Sequence, residues 1–405
     1  MSNSRNYLDR WTPPGFQLLL YDGNLRGLVF SQGRYWMQHR KVVGSVFRSP
    51  DFLNHYVETV IDKTAFLIHR LWQPKAGTVL NVHQEMRMLT LDIIGAAAFG
   101  TEFGAMTSTD GTHEIETCLS NILHGVLDVI TSPVPLWRVM RTPGRAAIEN
   151  DLNRLQQIEL RLIQKRREEL RREGTQPEDT SKKDLLGLLL RARDSSRSAN
   201  FKDEDLMWDV HDVIFAGHET TASALAAALF LIAGKPRVLR NIQQELEEVL
   251  PEGRTPTIED ISKLKYLDMV LNESLRLYPP TALIGRCAKA EDTIAGYDIP
   301  AGANILMSPY VMGRLEQLWD NPEEFRPERF SPEEVAKRHP MSHTPFGAGP
   351  RVCLGARMAT MEAKVVLAMI FQKFSFERTQ DKLEVDYDST VSFKSGMDMV
   401  IRRVP

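Results

Sequence analysis

The stretch Phe346-Gly347-Ala348-Gly349-Pro350-Arg351-Val352-Cys353-Leu354-Gly355, called the cysteine loop below, decides how this sequence is interpreted. Cys353 lies among glycines, just before an apolar segment of helical spacing at residues 356–372. Backbone N–H groups at a helix N-terminus stabilise negative charge, so we expect a lowered pKa for the Cys353 thiol. The glycines leave room for a flat, bulky group beside the backbone, and Arg351 supplies a fixed cation for an acidic group.

The surroundings of Cys353 narrow the kind of metal it could bind. Structural zinc and iron–sulfur sites take several cysteine or histidine ligands. The loop has neither a CxxC pair nor a histidine partner, which argues against both. A lone thiolate suits haem iron. The alternative interpretation is a structural cysteine buried in a glycine-rich turn.

The composition is that of an ordinary globular protein. The chain has 405 residues and a net charge of −3, so nucleic-acid binding has no bulk electrostatic support. Three widely spaced cysteines favour a reducing compartment over a disulfide framework. We interpret Cys118 and Cys287 as small buried hydrophobes.

The apolar pattern predicts a fold that is mainly α with a small β portion, in one domain over residues 1–405. Helices are expected at 52–72, 85–99, 145–172, 203–233 and, in two pieces with Thr257 and Asp260 as a capping box, at 258–277. Short strands are expected at 293–299, 303–308, 383–387 and 397–402, with loops at 174–183 and 191–200.

Three further segments bear on whether the chain contacts a membrane or is exported. The longest apolar stretch, 213–233, contains Glu219 near its start, which favours a buried core helix over a membrane span. The N-terminus is polar and has no apolar run of signal-peptide or anchor length. A run of basic residues is interpreted as a solvated helix face, with partner or lipid contact as the minor alternative: Arg161, Lys165, Arg166, Arg167, Arg171 and Arg172.

A second motif, 216–221, lies inside the long apolar helix. The hydroxyl of Thr220 can bond back to the carbonyl of Ala216 and bend the helix locally. Gly217 removes a side chain where the helix would meet a cofactor or ligand, and Glu219 supplies a proton-exchanging carboxyl. The alternative is a core helix with a satisfied threonine and an exposed glutamate.

Two more patterns pair polar side chains on helices. Glu273 and Arg276 stand at i, i+3, and a buried pair there needs further hydrogen bonds, for which Arg329 is the candidate. Trp36 and Arg40 stand at i, i+4 on an early helix, where both could reach one carboxylate. Core packing is the alternative role for Trp36.

Taken together and in order, these motifs resemble the cytochrome P450 family, in its longer, microsomal type. The resemblance implies a P450-like fold that binds haem b. By that resemblance Cys353 is the axial ligand of the iron, and Glu219 and Thr220 are the catalytic acid–alcohol pair. Glu273, Arg276 and Arg329 support the cysteine loop. The remaining cofactor-binding residues by family position are Trp36, Arg40, Arg286, Phe346 and Arg351.

The same resemblance implies a monooxygenase that uses O2 on an apolar substrate, lipid or terpenoid in class. Ala216 and residues 281–284 are the expected pocket lining. Electrons would come from a separate NADPH-dependent reductase or ferredoxin, because the sequence has no nucleotide-binding glycine motif after a strand. The expected docking face lies near Arg40, Lys41 and Arg48. Two alternatives stay open: a peroxide-rearranging enzyme of the same fold, and a non-catalytic haem-binding remnant.

One departure concerns the segment before Trp36, which is much shorter than in the family. We therefore expect the anchor, the first helix and most of the N-terminal sheet to be lacking. The cysteine usage indicates a reducing compartment but does not say which one. The endoplasmic reticulum and the plastid membrane are the alternatives if a further segment precedes this chain.

Overall fold

A computed structural model describes residues 5–12, 27–72, 76–108, 112–134, 136–172, 184–195, 203–387, 390–393 and 396–404. Its longer helices are α1 Gly33–Phe47, α2 Pro50–Leu67, α3 Val82–Phe99, α4 Glu114–Ile130, α5 Pro143–Arg172, α6 Leu185–Ser195, α7 Asp203–Ala233, α8 Pro236–Val249, α9 Lys265–Leu277 and α10 Ala356–Phe371. Shorter helical segments are Gly27–Phe30, Ile258–Ile261, Pro309–Met312 and Pro332–Lys337, and α2 ends in a π-helical turn, Ile68–Trp72.

The core is built around α7. This helix packs against α3, α5, α9 and α10, and its C-terminal half from Thr221 to Ile232 is buried throughout. Among the described residues one helix, Asp205–Ala233, is long and apolar enough to cross a membrane, and 72% of its most apolar window is buried within the fold. The expectation of a buried core helix is therefore confirmed.

The β portion is small and antiparallel. Strands β1 Val79–Asn81, β6 Phe374–Arg378 and β9 Asp398–Arg403 form one sheet in the order β1-β9-β6. Three separate two-stranded sheets make up the rest of the β portion. They pair β2 Ile284–Cys287 with β5 Asn304–Met307, β3 Asp292–Ile294 with β4 Tyr297–Ile299, and β7 Val385–Tyr387 with β8 Val391–Phe393.

Most predicted elements are confirmed, and the exceptions have physical reasons. The predicted strand at 293–299 is a hairpin, because Ala295 and Gly296 both have positive φ and reverse the chain. The predicted loop at 191–200 is wrong up to Ser195, where α6 ends. The other predicted loop lies outside the described residues. The capping box at Thr257 and Asp260 is confirmed, whereas α4 and α8 were not predicted.

The basic run on α5 is not a uniformly solvated face. Arg166 is buried and its Nη2 lies 2.6 Å from Oδ2 of Asp184. Asp184 also accepts a hydrogen bond from the backbone N–H of Gly187, at the start of α6. Arg166 is therefore a buried structural cation that joins α5 to α6. Cys287 also departs from its prediction, since it is half-buried, whereas Cys118 is buried as expected.

Candidate functional site

The cysteine loop is shaped by two glycines and closed by one hydrogen bond. Gly347 and Gly349 have φ values of +73° and +71°, in the left-handed region that L side chains rarely adopt. The N–H of Cys353 donates to the carbonyl of Phe346 at 2.9 Å, and the Phe346 side chain packs against the core. This arrangement holds Cys353 on the exposed side of the loop, immediately before α10.

Opposing influences act on the Cys353 thiol. Although the residue is exposed, the density of protein around its sulfur raises the pKa of the Cys353 thiol, and this is the largest cause. The backbone N–H groups of Gly355 and Ala356, together with the cations Arg10 and Arg40, act in the lowering direction. The predicted net lowering of the pKa is therefore wrong. Because metal binding displaces the thiol proton, the donors described here stabilise the ligand in its thiolate form.

Arg351 is the most informative cation near the loop. It is 3% exposed, and it donates from Nε to Leu8 O at 3.0 Å and from Nη2 to Ser31 O at 2.8 Å. Its guanidinium carbon lies 3.8 Å from the ring centroid of Trp36, a cation–π contact. Among the described residues none accepts a hydrogen bond from its Nη1. A buried charged donor without an acceptor is costly, so this atom fits an anionic partner.

Arg351 belongs to an arginine cluster with Arg10, Arg40 and Arg286. Burial, followed by the charges of Arg10 and Arg286, lowers the pKa of Arg351 to about 9. Burial and the charge of Arg10 lower the pKa of Arg286 to about 10. Such mutual repulsion is relieved by anionic groups placed among the cations. The donor set thus fits the acidic groups of haem beside a cysteine ligand.

Two members of this cluster differ from expectation. Arg40 donates from Nη2 to Val352 O at 2.7 Å, and its guanidinium carbon lies 5.5 Å from the Trp36 ring. It therefore holds the cysteine loop itself. Arg10 was not predicted, because its sequence neighbourhood carries no motif. Residues 5–12 run beside β2, where Cys287 N donates to Asp9 O at 3.0 Å, and Gln32 Nε2 donates to the Arg10 carbonyl at 2.8 Å. Tertiary contacts of this kind bring Arg10 to the site.

Helix α7 presents a half-buried face within an otherwise buried helix. Val213, Ala216, Gly217 and Thr220 share this face by spacing, and each is only partly buried. The hydroxyl of Thr220 donates to Ala216 O at 2.7 Å, which confirms the predicted bond. A Cβ at Gly217 would lie 2.9 Å from Cδ1 of Ile94, so the glycine also lets α7 pack closely against α3.

Glu219 lies on a different side of α7 from Thr220. Its Oε2 is 3.2 Å from Nε of Arg87 on α3, and Nη2 of Arg87 is 2.5 Å from Oε1 of Glu116 on α4. Burial raises the pKa of Glu219, and the Arg87 charge offsets part of that rise. The expected exposed-glutamate alternative is wrong, since Glu219 is buried. The carboxyl and the hydroxyl thus make separate contacts in this structure.

The predicted support network is present and fully buried. Arg276 donates from Nε and Nη2 to the two oxygens of Glu273 at 2.7 and 2.8 Å. Its Nη1 donates to Gly313 O and Pro322 O at 2.5 and 2.7 Å. Nε of Arg329 lies 3.3 Å from Oε1 of Glu273. The network joins α9 to the segments that lead into the cysteine loop.

Comparison with known proteins agrees with this geometry. The family model described as Cytochrome P450 matches residues 2–400. Cytochrome P450 4V2 of Homo sapiens is 30% identical over 388 residues, covering 93% of this chain and 73% of that protein. Carotene epsilon-monooxygenase, chloroplastic, of Arabidopsis thaliana is 31% identical over 393 residues, covering 93% and 71%.

A solved structure extends the match to the fold. The crystal structure of the cytochrome P450DA heme domain superposes with a TM-score of 0.85 and 25% sequence identity, covering 99% of this chain and 84% of that one. Its likeness agrees with the helical core and small sheets described above. The chain therefore belongs to the cytochrome P450 family, and it is a monooxygenase whose cofactor is haem with a cysteine thiolate on the iron.

Proposed function

We propose that this chain inserts one oxygen atom of O2 into a C–H bond of a lipid or terpenoid substrate. The second oxygen atom takes up two protons and two electrons and leaves as water. The electrons come from a separate reductase or ferredoxin. The carotene monooxygenase relative supports this substrate class. The half-buried side chain of Val213 supports an apolar substrate, because it leaves apolar surface on the face of α7 that carries Thr220.

In this proposal Cys353 binds the haem iron, and the arginine cluster with Trp36 holds the haem's acidic groups. Arg351, whose buried Nη1 has no acceptor among the described residues, carries the assignment. Phe346 closes the cysteine loop through its carbonyl. The haem supplies the activation of O2, which its thiolate ligand promotes by donating electron density.

Glu219 and Thr220 are proposed to manage the protons. Thr220 belongs to the half-buried face of α7, where its hydroxyl is positioned by Ala216. Glu219 has a raised pKa because it is buried, so it holds its proton closer to neutral pH than an ordinary glutamate. The carboxyl must leave Arg87 to reach the Thr220 side of the helix.

The redox partner is proposed to dock beside α1. Leu354 of the cysteine loop and Arg48 at the end of α1 both lie close to Gly44, so this helix covers the loop. Arg40 is engaged with the loop carbonyl, which leaves Lys41 and Arg48 as the expected cationic contacts. Lys41→Glu with Arg48→Glu should slow reduction without changing substrate affinity, whereas Arg172→Glu on α5 is the matched control. Unchanged reduction rates would contradict this docking site.

The test of the site is the carbon monoxide difference spectrum of the reduced, haem-loaded protein. The wild-type chain and the Cys287→Ser control should both give the strongly red-shifted band of a thiolate ligand, and Cys353→Ser should not. A red-shifted band in Cys353→Ser would overturn the ligand assignment. Incorporation of ¹⁸O from ¹⁸O2 into a fatty acid or a carotenoid then tests the reaction. Turnover of a lipid hydroperoxide without reductant would instead favour the peroxide-rearranging alternative.

A further inference from the structure

Three buried aspartates lie on one face of the N-terminal half of α7, called the acid face below. Asp205, Asp209 and Asp212 stand at i, i+4 and i+7, a spacing that places them on one side of a helix. Their exposed fractions are 7%, 1% and 4%, and burial raises the pKa of Asp212 to about 7. A buried carboxylate is costly unless it is hydrogen-bonded. The acid face therefore depends on partners from the segment that packs against it.

Each aspartate of the acid face has a partner in residues 29–40, called the bridging segment, which runs from the end of the short helix Gly27–Phe30 into α1. The contacts are the Tyr35 hydroxyl to Oδ1 of Asp205 at 2.8 Å, Nδ1 of His39 to Oδ2 of Asp209 at 2.8 Å, and the Val29 N–H to Oδ2 of Asp212 at 2.7 Å. The acid face thus fixes where the bridging segment lies on α7.

The His39–Asp209 pair is the most enclosed of these contacts. The two side chains are 3% and 1% exposed, and the Tyr35 ring stacks on the imidazole with centroids 4.0 Å apart. Burial raises the pKa of Asp209, and His39 acts in the lowering direction. The other oxygen of Asp209, Oδ1, has no hydrogen-bond partner within the described part of the chain. The Asp209 carboxylate therefore relies on His39, because removing one member of a buried pair leaves the other unpaired.

The other contacts of the bridging segment reach the cysteine loop. Ser31 O accepts a hydrogen bond from Nη2 of Arg351 at 2.8 Å, and the guanidinium carbon of Arg351 lies 3.8 Å from the Trp36 ring centroid. Nη2 of Arg40 donates to Val352 O at 2.7 Å. Contacts to α7 and to the cysteine loop alternate along the segment, so a displacement of the segment on α7 would also move its contacts at the loop.

We propose that the acid face positions α1, so that the His39–Asp209 pair holds Trp36 and Arg40 in the orientation that binds the acidic groups of haem. Neighbouring residues project about 100° apart around a helix. A rotation of α1 that frees His39 therefore swings Arg40 as well, together with Trp36 one turn away. His39 and Asp209 are positioning residues, since they act through Trp36 and Arg40. This inference rests on the proposed role of those two residues in holding haem.

The direct test is His39→Phe, which keeps a ring against Tyr35 and removes both nitrogens. Partners that orient the ligands of a metal site typically contribute ten-fold or more to its affinity, so haem transfer to apomyoglobin should become about ten-fold faster. The reduction potential should shift to more negative values. The charge of Arg40 acts on Cys353, and a displaced cation stabilises the reduced haem less. The carbon monoxide band of a thiolate ligand should remain, since Cys353 is unaltered.

His211→Phe is the matched control. It breaks a similarly buried histidine–acid pair on α7, His211 Nδ1 to Glu159 Oε1 at 2.9 Å, which leads to α5 instead of α1. This variant should lose stability, yet keep the haem transfer rate and the reduction potential of the wild type. A wild-type rate and potential in folded His39→Phe would overturn the proposal. Equal changes in both variants would overturn it too, because they would report destabilisation alone.

A second pair of variants separates positioning from stability. His39→Leu combined with Asp209→Leu replaces the buried pair by apolar side chains, which is often neutral for stability. The double variant should unfold like the wild type but still release haem faster. Asp209→Asn keeps an acceptor oxygen for His39, so it should retain haem better than Asp209→Leu. If the double variant recovers stability and haem retention together, the pair is merely structural and the proposal fails. The double variant carries the test if His39→Phe does not fold.

Arg40→Leu distinguishes the two levels of the argument. If Arg40→Leu retains haem as well as the wild type does, the proposed role of Arg40 fails. If Arg40→Leu releases haem faster while folded His39→Phe does not, only the positioning role of His39 fails. Combining the two substitutions should change the transfer rate by less than the product of their separate effects, because His39 acts through Arg40.

Discussion

The cysteine-loop side and the α7 side of this molecule differ in how fully their buried polar groups are hydrogen-bonded. Behind the cysteine loop, Glu273 receives several direct donors, and the buried cation Arg276 bonds to carboxylate and backbone oxygens alike. On the α7 side, Arg87 is shared by two carboxylates and His218 has no partner among the described residues. Saturated networks hold one geometry, whereas unsaturated ones can change partners. Substitutions on the first side should therefore cost stability, and those on the second should cost coupling.

The largest effect is expected from Arg276→Ala. This change leaves Glu273 buried with its main counter-charge removed, which typically costs about 3–5 kcal/mol. We expect a lower free energy of unfolding, measured by denaturant unfolding. We also expect poor haem retention, measured as the haem that stays bound to the protein after gel filtration. Arg326→Ala is the control, because the Arg326 side chain is more exposed and only its backbone N–H contacts Glu273. Equal stability of the two variants would remove the contrast drawn above.

A pH effect of similar order is expected from Glu362 on α10. Burial raises the pKa of Glu362 to about 8, and Tyr56 donates a hydrogen bond to it. The folded state keeps this proton until about pH 8, whereas an unfolded glutamate loses it near pH 4.5. Stability from this group is thus complete below pH 4.5 and declines towards pH 8, by at most about 1.4 kcal/mol per pH unit.

Glu362→Gln should flatten that dependence, because the amide does not ionise. Unfolding curves of both proteins between pH 5 and pH 8 measure the difference. If the two proteins lose stability in parallel over this range, Glu362 does not titrate as the structure indicates.

A smaller effect is expected from Arg351→Leu, which removes the buried charged donors beside Trp36. Hydrogen bonds to charged groups contribute about 1.5–3 kcal/mol each, so haem affinity should fall by roughly ten-fold to a hundred-fold. Haem transfer to apomyoglobin gives the measurement. Arg10→Gln should weaken binding less, since Arg10 is only half-buried, whereas Arg351 is buried. Unaltered affinity in Arg351→Leu would mean that the cluster does not hold the cofactor.

The smallest effect on stability is expected from Thr220→Val. It removes one side-chain bond to the Ala216 carbonyl, worth about 1 kcal/mol or less. The melting temperature should barely change, yet hydrogen peroxide should rise relative to product when reductant is supplied. A variant that is clearly destabilised but normally coupled would reverse the assignment of the two sides.

The features that were predictable from sequence are local ones. The Thr220–Ala216 bond, the Glu273–Arg276 pair and the capping box at Thr257 each join residues within four positions, where helical geometry sets the distance. The pairing of Glu219 with Arg87 joins residues 132 positions apart, and that of Arg166 with Asp184 crosses a segment with no regular spacing. Such contacts depend on how helices pack, which periodicity alone does not specify.

The same limit explains the errors at single residues. The helix-start pattern correctly indicated donors for Cys353, but the net pKa depends on how much protein surrounds the sulfur. Arg166 was expected on a solvated helix face, but it is buried and pairs with Asp184 beside the start of α6. In both cases the residue type was informative and its surroundings decided the role.

The hydrogen bond from Arg351 to the Leu8 carbonyl has a consequence for synthesis. Its two residues are 343 positions apart, so the bond closes one of the longest loops available to this chain. At typical translation rates the ribosome needs roughly 20 to 70 seconds between them. Leu8 must stay accessible during that time, and contacts of such long range form late in folding. The arginine cluster is therefore completed only after Arg351 has been made, which places haem uptake late in the protein's maturation.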